Sequence, residues 1–237
     1  MGRVFEKRKY KMFARFDRMA KGFQRLGKEI AIAVKQAGPL PDNNPRLRAA
    51  ILSARGINMP KHLIEAAVKR ASSKDEGNFE EIVYEGYGPH GVAILLECAT
   101  DNTNRSIANI RTYFNRHGGA VGKTGSLDFI FTQKGVFKIK ATGLDPDELE
   151  LELIDHGLDD LAIDEEEGLI ICYTAFADYA KMQRALEARH LDVVSAEFER
   201  IPQSFADVPE DAQEDILELV DKIEADDDVQ KVYHNMR

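Results

Sequence analysis

Lys7, Arg8, Lys11, Arg15, Arg18 and Arg25 recur at helical intervals near the start of the chain, and Arg46, Arg48, Lys61 and Arg70 follow. Rows of cations neutralise phosphates and release their counterions, so the chemistry they suit is contact with a nucleic-acid backbone. They belong to a segment, residues 1–75, that holds 18 Lys or Arg against 6 Asp or Glu. Residues 76–237 hold 14 against 35. The formal net charge of −9 over 237 residues therefore conceals one segment of +12 and another of −21. Acidic runs repel phosphate, which would help confine nucleic acid to the basic part.

Other motifs imitate chemistry. Gly86-Tyr87-Gly88-Pro89-His90-Gly91 matches a dinucleotide fingerprint, but that fingerprint must open a helix, and Val92 to Leu96 continue as a strand. A hairpin loop is expected. Gly118 to Thr124 resembles a phosphate-binding loop, yet it joins a helix to a strand, so the anion-holding helix N-terminus is missing. Lys123 is instead assigned to an exposed glycine-rich loop. Six histidines stand at no zinc-motif spacing, and no nucleophile elbow occurs, so neither a cofactor, a metal nor a catalytic residue is expected. Glu165 to Glu167 and Asp226 to Asp228 read as solvated turns, with cation binding, the only basis for an enzyme, as the alternative. Asp101 or Asn102 is a plausible helix cap, and Asn102, Asn104, Arg105 and Tyr87 are candidate loop contacts to RNA or protein backbone.

These residues must be positioned by regular elements. Met12, Phe16, Met19, Phe23, Leu26, Ile30, Ala33 and Ala37 alternate by four and three, one long helical stripe with a contiguous basic face beside it. Asn44-Pro45 caps a second helix that Gly56 closes, and Asn58-Met59-Pro60 starts a third. The short turn between them invites comparison with a helix-turn-helix, a weak signal. Beyond residue 78 the period changes. Strands are expected at 80–85, 92–99 and 127–131, with a helix at 104–116 between the last two. Residues 136–201 then follow the order β-α-β-β-α-β, the ferredoxin-like arrangement, and a helix at 210–225 and a strand at 229–234 finish the chain. The fold class is thus a multidomain α plus α+β protein. A basic helical domain (1–77) precedes a discontinuous α+β domain (78–133 plus 202–237), into which a ferredoxin-like domain (134–201) is inserted.

Composition sets outer limits. With 43% hydrophobic and 31% charged residues the chain is globular, and no apolar run approaches a membrane span. Two cysteines, Cys98 and Cys172, fit no disulfide framework, which points to a reducing interior. The first thirty residues share the basic amphipathic pattern of a transit peptide, but that pattern runs unbroken into what reads as folded structure. A cytoplasmic protein is expected.

Asn44-Pro45-Arg46-Leu47-Arg48, Asn58-Met59-Pro60-Lys61 with Val68-Lys69-Arg70-Ala71, Tyr84 to Pro89, Thr100-Asp101-Asn102 with Asn104-Arg105, and Asp227 to Gln230 with Val232 to Asn235 together resemble the YebC family. That family also includes the mitochondrial translational activator of cytochrome oxidase. The resemblance covers nearly the whole chain. It implies a helical domain followed by two α+β domains, one inserted in the other, with no catalytic residues to carry over. It also implies a cytoplasmic DNA-binding transcriptional regulator. Other members act on ribosomes, notably where proline runs stall synthesis. One departure is the start, Met1 to Tyr10, which lacks the His-Ser-Lys-Trp segment of many members; the chain has no Trp. Two hypotheses follow. In the first, the basic residues bind duplex DNA; in the alternative, they anchor a translation factor on ribosomal RNA.

Overall fold

A computed structural model describes residues 3–73 and 78–237, with side chains from residue 19 onward, and the chain divides into two compact units, Met1–Glu76 and Gly77–Arg237. The first unit is built on α1 (Arg3–Ala37), against which α2 (Pro45–Gly56) and α3 (Lys61–Ala71) both pack. Ile30 to Val34 are all buried, five consecutive positions that span every side of a helix. The expected contiguous basic face is therefore interrupted. Ile32, four residues after Lys28 and on its side of α1, is buried among neighbours that the spacing of one apolar stripe cannot reveal.

Asn44 ties these helices together. Its side-chain oxygen accepts from the Leu47 amide (3.0 Å), capping α2, while its nitrogen donates to the Ala33 and Gly38 carbonyls at the end of α1 (2.7 and 2.9 Å). One buried amide thus satisfies orphan groups of two helix termini. Between α2 and α3 the left-handed residue is Asn58 (φ 59°), not Gly56, which lies inside α2. The short polar side chain of Asn tolerates that conformation.

The second unit holds two four-stranded antiparallel sheets. Its chain order is β1 (Glu80–Tyr87), β2 (Ala93–Thr100), α4 (Thr103–Arg116), β3 (Ala120–Val121), β4 (Phe131–Lys140), α5 (Pro146–Ile154), β5 (Leu158–Asp164), β6 (Leu169–Ala175), α6 (Tyr179–Ala188), β7 (Val193–Pro202), α7 (Glu210–Glu224) and β8 (Val229–His234). The first sheet has the order β3-β1-β2-β8 and the second β5-β6-β4-β7, the ferredoxin-like order. The fold is thus a helical domain followed by two α+β domains, one inserted in the other. Alternation from Val92 into β2 serves two cores: Val92, Ile94, Leu96 and Cys98 pack with Ile110, Phe114, Ile216, Leu219 and Ile223 of α4 and α7, and Ala93 and Leu95 pack with Leu127, Ile130 and Phe131. In the second sheet Gly135 leaves room for the Tyr179 ring, which stacks on Phe137 (4.7 Å) and meets Phe198 at a tilt (4.3 Å); a Cβ there would lie 2.6 Å from that ring.

Most expected elements occur, several a few residues longer. The strand expected at 127–131 does not: residues 124–130 form a turn, and the third strand is the two-residue β3. Glu85 is the reason. Its buried carboxyl accepts from the Gly125 amide (2.7 Å), the Leu127 amide (2.7 Å) and the Ser126 hydroxyl (3.2 Å), so these backbone groups turn inward rather than into a ladder.

Asn44→Ala removes both the cap and the donor to two α1 carbonyls, and should cost the helical unit about 2 kcal/mol. Amide exchange of Leu47 and neighbouring α2 residues in the full chain measures it; unchanged protection would refute the role given to Asn44. Asn44→Asp, which keeps the cap acceptor, should lose less.

Candidate nucleic-acid interface

Of the cations assigned to phosphate contact, Lys7, Arg8, Lys11, Arg15 and Arg18 have side chains outside the described residues. Lys61 and Arg70, at opposite ends of α3, are exposed, and so are Lys69 next to Arg70 and Arg55 in the last turn of α2; Lys61 lies 3.6 Å from Glu65. Arg25, Arg46 and Arg48 are half-buried. Arg48 donates to the Pro41 and Asp42 carbonyls (2.9 and 3.0 Å), and Arg46 donates to the Gln36 side chain (3.0 Å) and lies 3.8 Å from Glu29. Their guanidinium groups brace the loop before α2 and the end of α1. The exposed cations of α2 and α3 are those presented to solvent, because both helices turn Leu47, Ala50, Ala54, Ile64, Ala67 and Ala71 inward.

The five loop candidates separate into two groups. Tyr87 pairs with Ala120 across β1 and β3, and Lys123 follows that strand. Gly119 makes the close approach possible, since a Cβ there would lie 2.6 Å from the Tyr87 carbonyl. Tyr87 is 39% exposed and Lys123 is exposed, as is Arg116 at the end of α4, four residues before Ala120. The β1–β3 pairing, which joins residues far apart in the chain, sets Tyr87 beside Ala120, the segment that follows α4. Asn102, Asn104 and Arg105 sit at the other end of the hairpin, beside Thr100, whose partner is Glu80. Seven strand residues, about 23 Å, separate the two ends.

At that second end Asn102, Asn104 and Arg105 are all exposed, and Asn102 and Arg105 are engaged by neighbours. Asn102 caps α4 by accepting from the Arg105 amide (3.1 Å). Arg105 holds Asp228 through Nε (3.2 Å) and Nη2 (2.8 Å) and also reaches Asp101 (2.8 Å). Asp228, only 4% exposed, further accepts from the Ser106 hydroxyl (2.7 Å). Asp226 accepts from Asn109, Tyr113 and the Asp228 amide at 2.9–3.0 Å. The expected solvated turn at 226–228 holds for Asp227, which is exposed, whereas the half-buried Asp226 and the buried Asp228 form a polar knot joining the start of α4 to the start of β8, with the Asp228 oxygens turned to Arg105 and Ser106. Asp164 and Glu165 to Glu167 do form an exposed turn, closed by the Glu167 amide on Asp164 (3.0 Å).

Burial would raise the Asp228 carboxyl; the hydrogen bonds from Arg105, Ser106 and Thr100, with the Arg105 charge, outweigh it and hold the group below its ordinary value of 3.8. Cys172 is pushed up to about 12 by burial, which removes it as a nucleophile at neutral pH. Among the described residues no three His, Cys, Asp or Glu side chains are grouped as metal ligands, and no helix is long and apolar enough to cross a membrane.

These features define a charge-segregated protein, a basic helical unit followed by an acidic α+β unit of two sheets. The chain belongs to the TACO1/YebC family: the family's N-terminal domain matches residues 3–74, and its second and third domain match residues 79–236. It is 56% identical to a "Probable transcriptional regulatory protein" of Cytophaga hutchinsonii, over 100% of this chain and 98% of that one. It is 50% identical to another protein of that name from Anaeromyxobacter dehalogenans, with both chains fully covered. The crystal structure of a conserved hypothetical protein from Aquifex aeolicus superposes with a TM-score of 0.80 at 34% identity, covering 92% of this chain and 90% of that chain.

A carboxyl depressed in the folded state contributes stability that is full above its unfolded pKa and fades as pH falls through its folded one. Asp228→Asn should therefore cost about 2 kcal/mol at pH 7, and the difference from the native protein should shrink below about pH 4. Urea unfolding at pH 7 and pH 3 tests this; equal midpoints at pH 7 would remove the role assigned to Asp228.

Proposed function

We propose that this protein is a cytoplasmic, non-enzymatic regulator of gene expression that binds nucleic acid through its basic helical unit, with duplex DNA as the ligand. Its working parts follow domain boundaries at 1–77, 78–133 with 202–237, and 134–201. The observation that carries the reading is the exposed set Arg55, Lys61, Lys69 and Arg70 on α2 and α3, within a segment of net +12 attached to one of −21. Relatives at 50–56% identity bear the name of transcriptional regulators, in agreement with this reading. Phosphate contacts supply affinity here, and base-edge contacts would have to supply any sequence preference.

A second reading, a translation factor on ribosomal RNA that relieves stalling such as at proline runs, is favoured by one feature. Tyr87 is exposed where β1 pairs with β3, and the segment that supplies β3 carries exposed cations on either side of it in sequence, Arg116 and Lys123. Stacking on a ring suits unpaired bases better than a closed duplex.

Removing one cation that touches a phosphate should make the slope of log K against log salt shallower by about 0.9 on duplex DNA. The triple change of Lys61, Lys69 and Arg70 to Ala should thus reduce the slope by about 2 to 3. Binding that ignores salt would overturn phosphate contact altogether. Sedimentation with ribosomes, together with no affinity for any duplex, would replace DNA by ribosomal RNA, and the change Tyr87→Ala should then weaken the ribosome complex.

A further inference from the structure

The second sheet has two edges that differ in a telling way. At the β7 edge, Lys231 and Tyr233 of β8 reach the Phe198 carbonyl (3.0 and 3.5 Å), and Arg200 donates to Glu97 (3.1 Å). The first sheet thus covers that edge. At the other edge β5 pairs with β6 alone among the described residues. The Leu161 amide donates to the neighbouring Asp160 side chain (2.9 Å), so it points away from β6, and Ile163, two residues on, turns the same way. An edge of this kind is a template for one more strand.

Exposed apolar side chains flank it. Ile163 on β5 is 54% exposed, and Leu151 and Ile154 on α5 are 72% and 53% exposed. Glu152 pairs with Arg189 at the end of α6, which marks the flank of α5 that faces α6. Ile154, two residues on, is about 200° around the helix and lies on the opposite flank, the side of β5, with Leu151 about 60° farther. The stretch of chain that carries this strip is acidic: residues 141–168 contain 12 Asp or Glu and neither Lys nor Arg, and Lys134 and Arg189 from neighbouring elements pair with two of those acids, Asp159 and Glu152. Such a potential repels nucleic acid, and it also repels β5 of a second copy, which would bring Asp159, Asp160 and Asp164 against their equivalents. An edge that only needed protection from aggregation would carry the charge without the three apolar side chains.

We propose that the outer edge of β5 with the adjoining flank of α5 is a docking surface for an extended segment of a partner protein in which basic and apolar residues alternate, adding as a fifth strand to this sheet. Main-chain hydrogen bonds to the outward groups of Leu161 and Ile163 supply the pairing. Apolar side chains on one face of the segment cover Ile163, Leu151 and Ile154, and its cations face the acidic rim. The surface is independent of the nucleic-acid reading, which concerns other residues.

The test uses the full chain and the capped heptapeptide Lys-Val-Lys-Val-Lys-Val-Lys, with a Lys-Ser alternating peptide of equal charge and a Glu-Val peptide of opposite charge as comparisons. Calorimetry should show the Lys-Val peptide binding at least tenfold more tightly than Lys-Ser, and Glu-Val not at all. Amide spectra should shift along β5 and α5, with exchange slowed at Leu161 and Ile163. Leu151→Lys combined with Ile154→Lys, both at exposed positions, should weaken binding at least tenfold. Ile163→Pro, which removes an outward N–H and leaves the β6 ladder intact, should abolish the slowed exchange at Leu161. Equal affinity for Lys-Val and Lys-Ser, shifts centred on α7, or no binding at millimolar peptide would each overturn the proposal.

Discussion

The α+β unit depends on a strand that returns late. β8 pairs with β2 after the chain has completed an entire second sheet, and without it β2 would lose one ladder and the helical core one wall. The connection is secured where it arrives. Asp226 and Asp228 turn inward against the first half of α4, so the start of β8, the end of β2 and the cap of α4 share one polar knot closed by Arg105. A buried carboxylate is costly unless each lone pair is met, and here a guanidinium and two hydroxyls meet them. The same knot engages Arg105 and Asn102 at one end of the sheet, where both remain exposed.

A comparable economy of means holds the helical unit. Asn44 satisfies carbonyls at the end of α1 and an amide at the start of α2, Arg48 braces the intervening loop, and Arg46 reaches Gln36 and Glu29 on α1. Cations near Asn44 serve the structure, while those of α3 remain outward. Net charge by segment is a statement about an electrostatic field, and this distinction among its carriers decides which of them meets a ligand.

Charge segregation also separates the surfaces of the molecule by partner. A segment of +12 suits polyanions, whereas the β5–α5 strip, with 12 acids and no cation in its stretch of chain, suits the opposite. Apolar exposure on the acidic strip is what distinguishes a binding surface from a merely solvated one.

Much was legible from neighbouring residues. Helix periods, the Asn44 and Asn102 caps, the hairpin at Gly86 to Gly91 and the β-α-β-β-α-β order all follow from interactions within a few positions of one another, and each recurs in the fold. The failures share a different origin. Nothing near Leu127 in the chain announces that Glu85, some forty residues away, will take its amide and leave a turn where alternation promised a strand. Nor does the run Asp226 to Asp228 announce that Arg105 lies beside it rather than water. Ile32 looks like part of a solvated flank until a second and third helix cover it. Spacing along the chain carries local geometry and the sum of charge, because those depend on short-range sterics and composition. Burial, ion pairing and which cations face outward depend on contacts between distant segments, and those exist only once the chain has closed on itself.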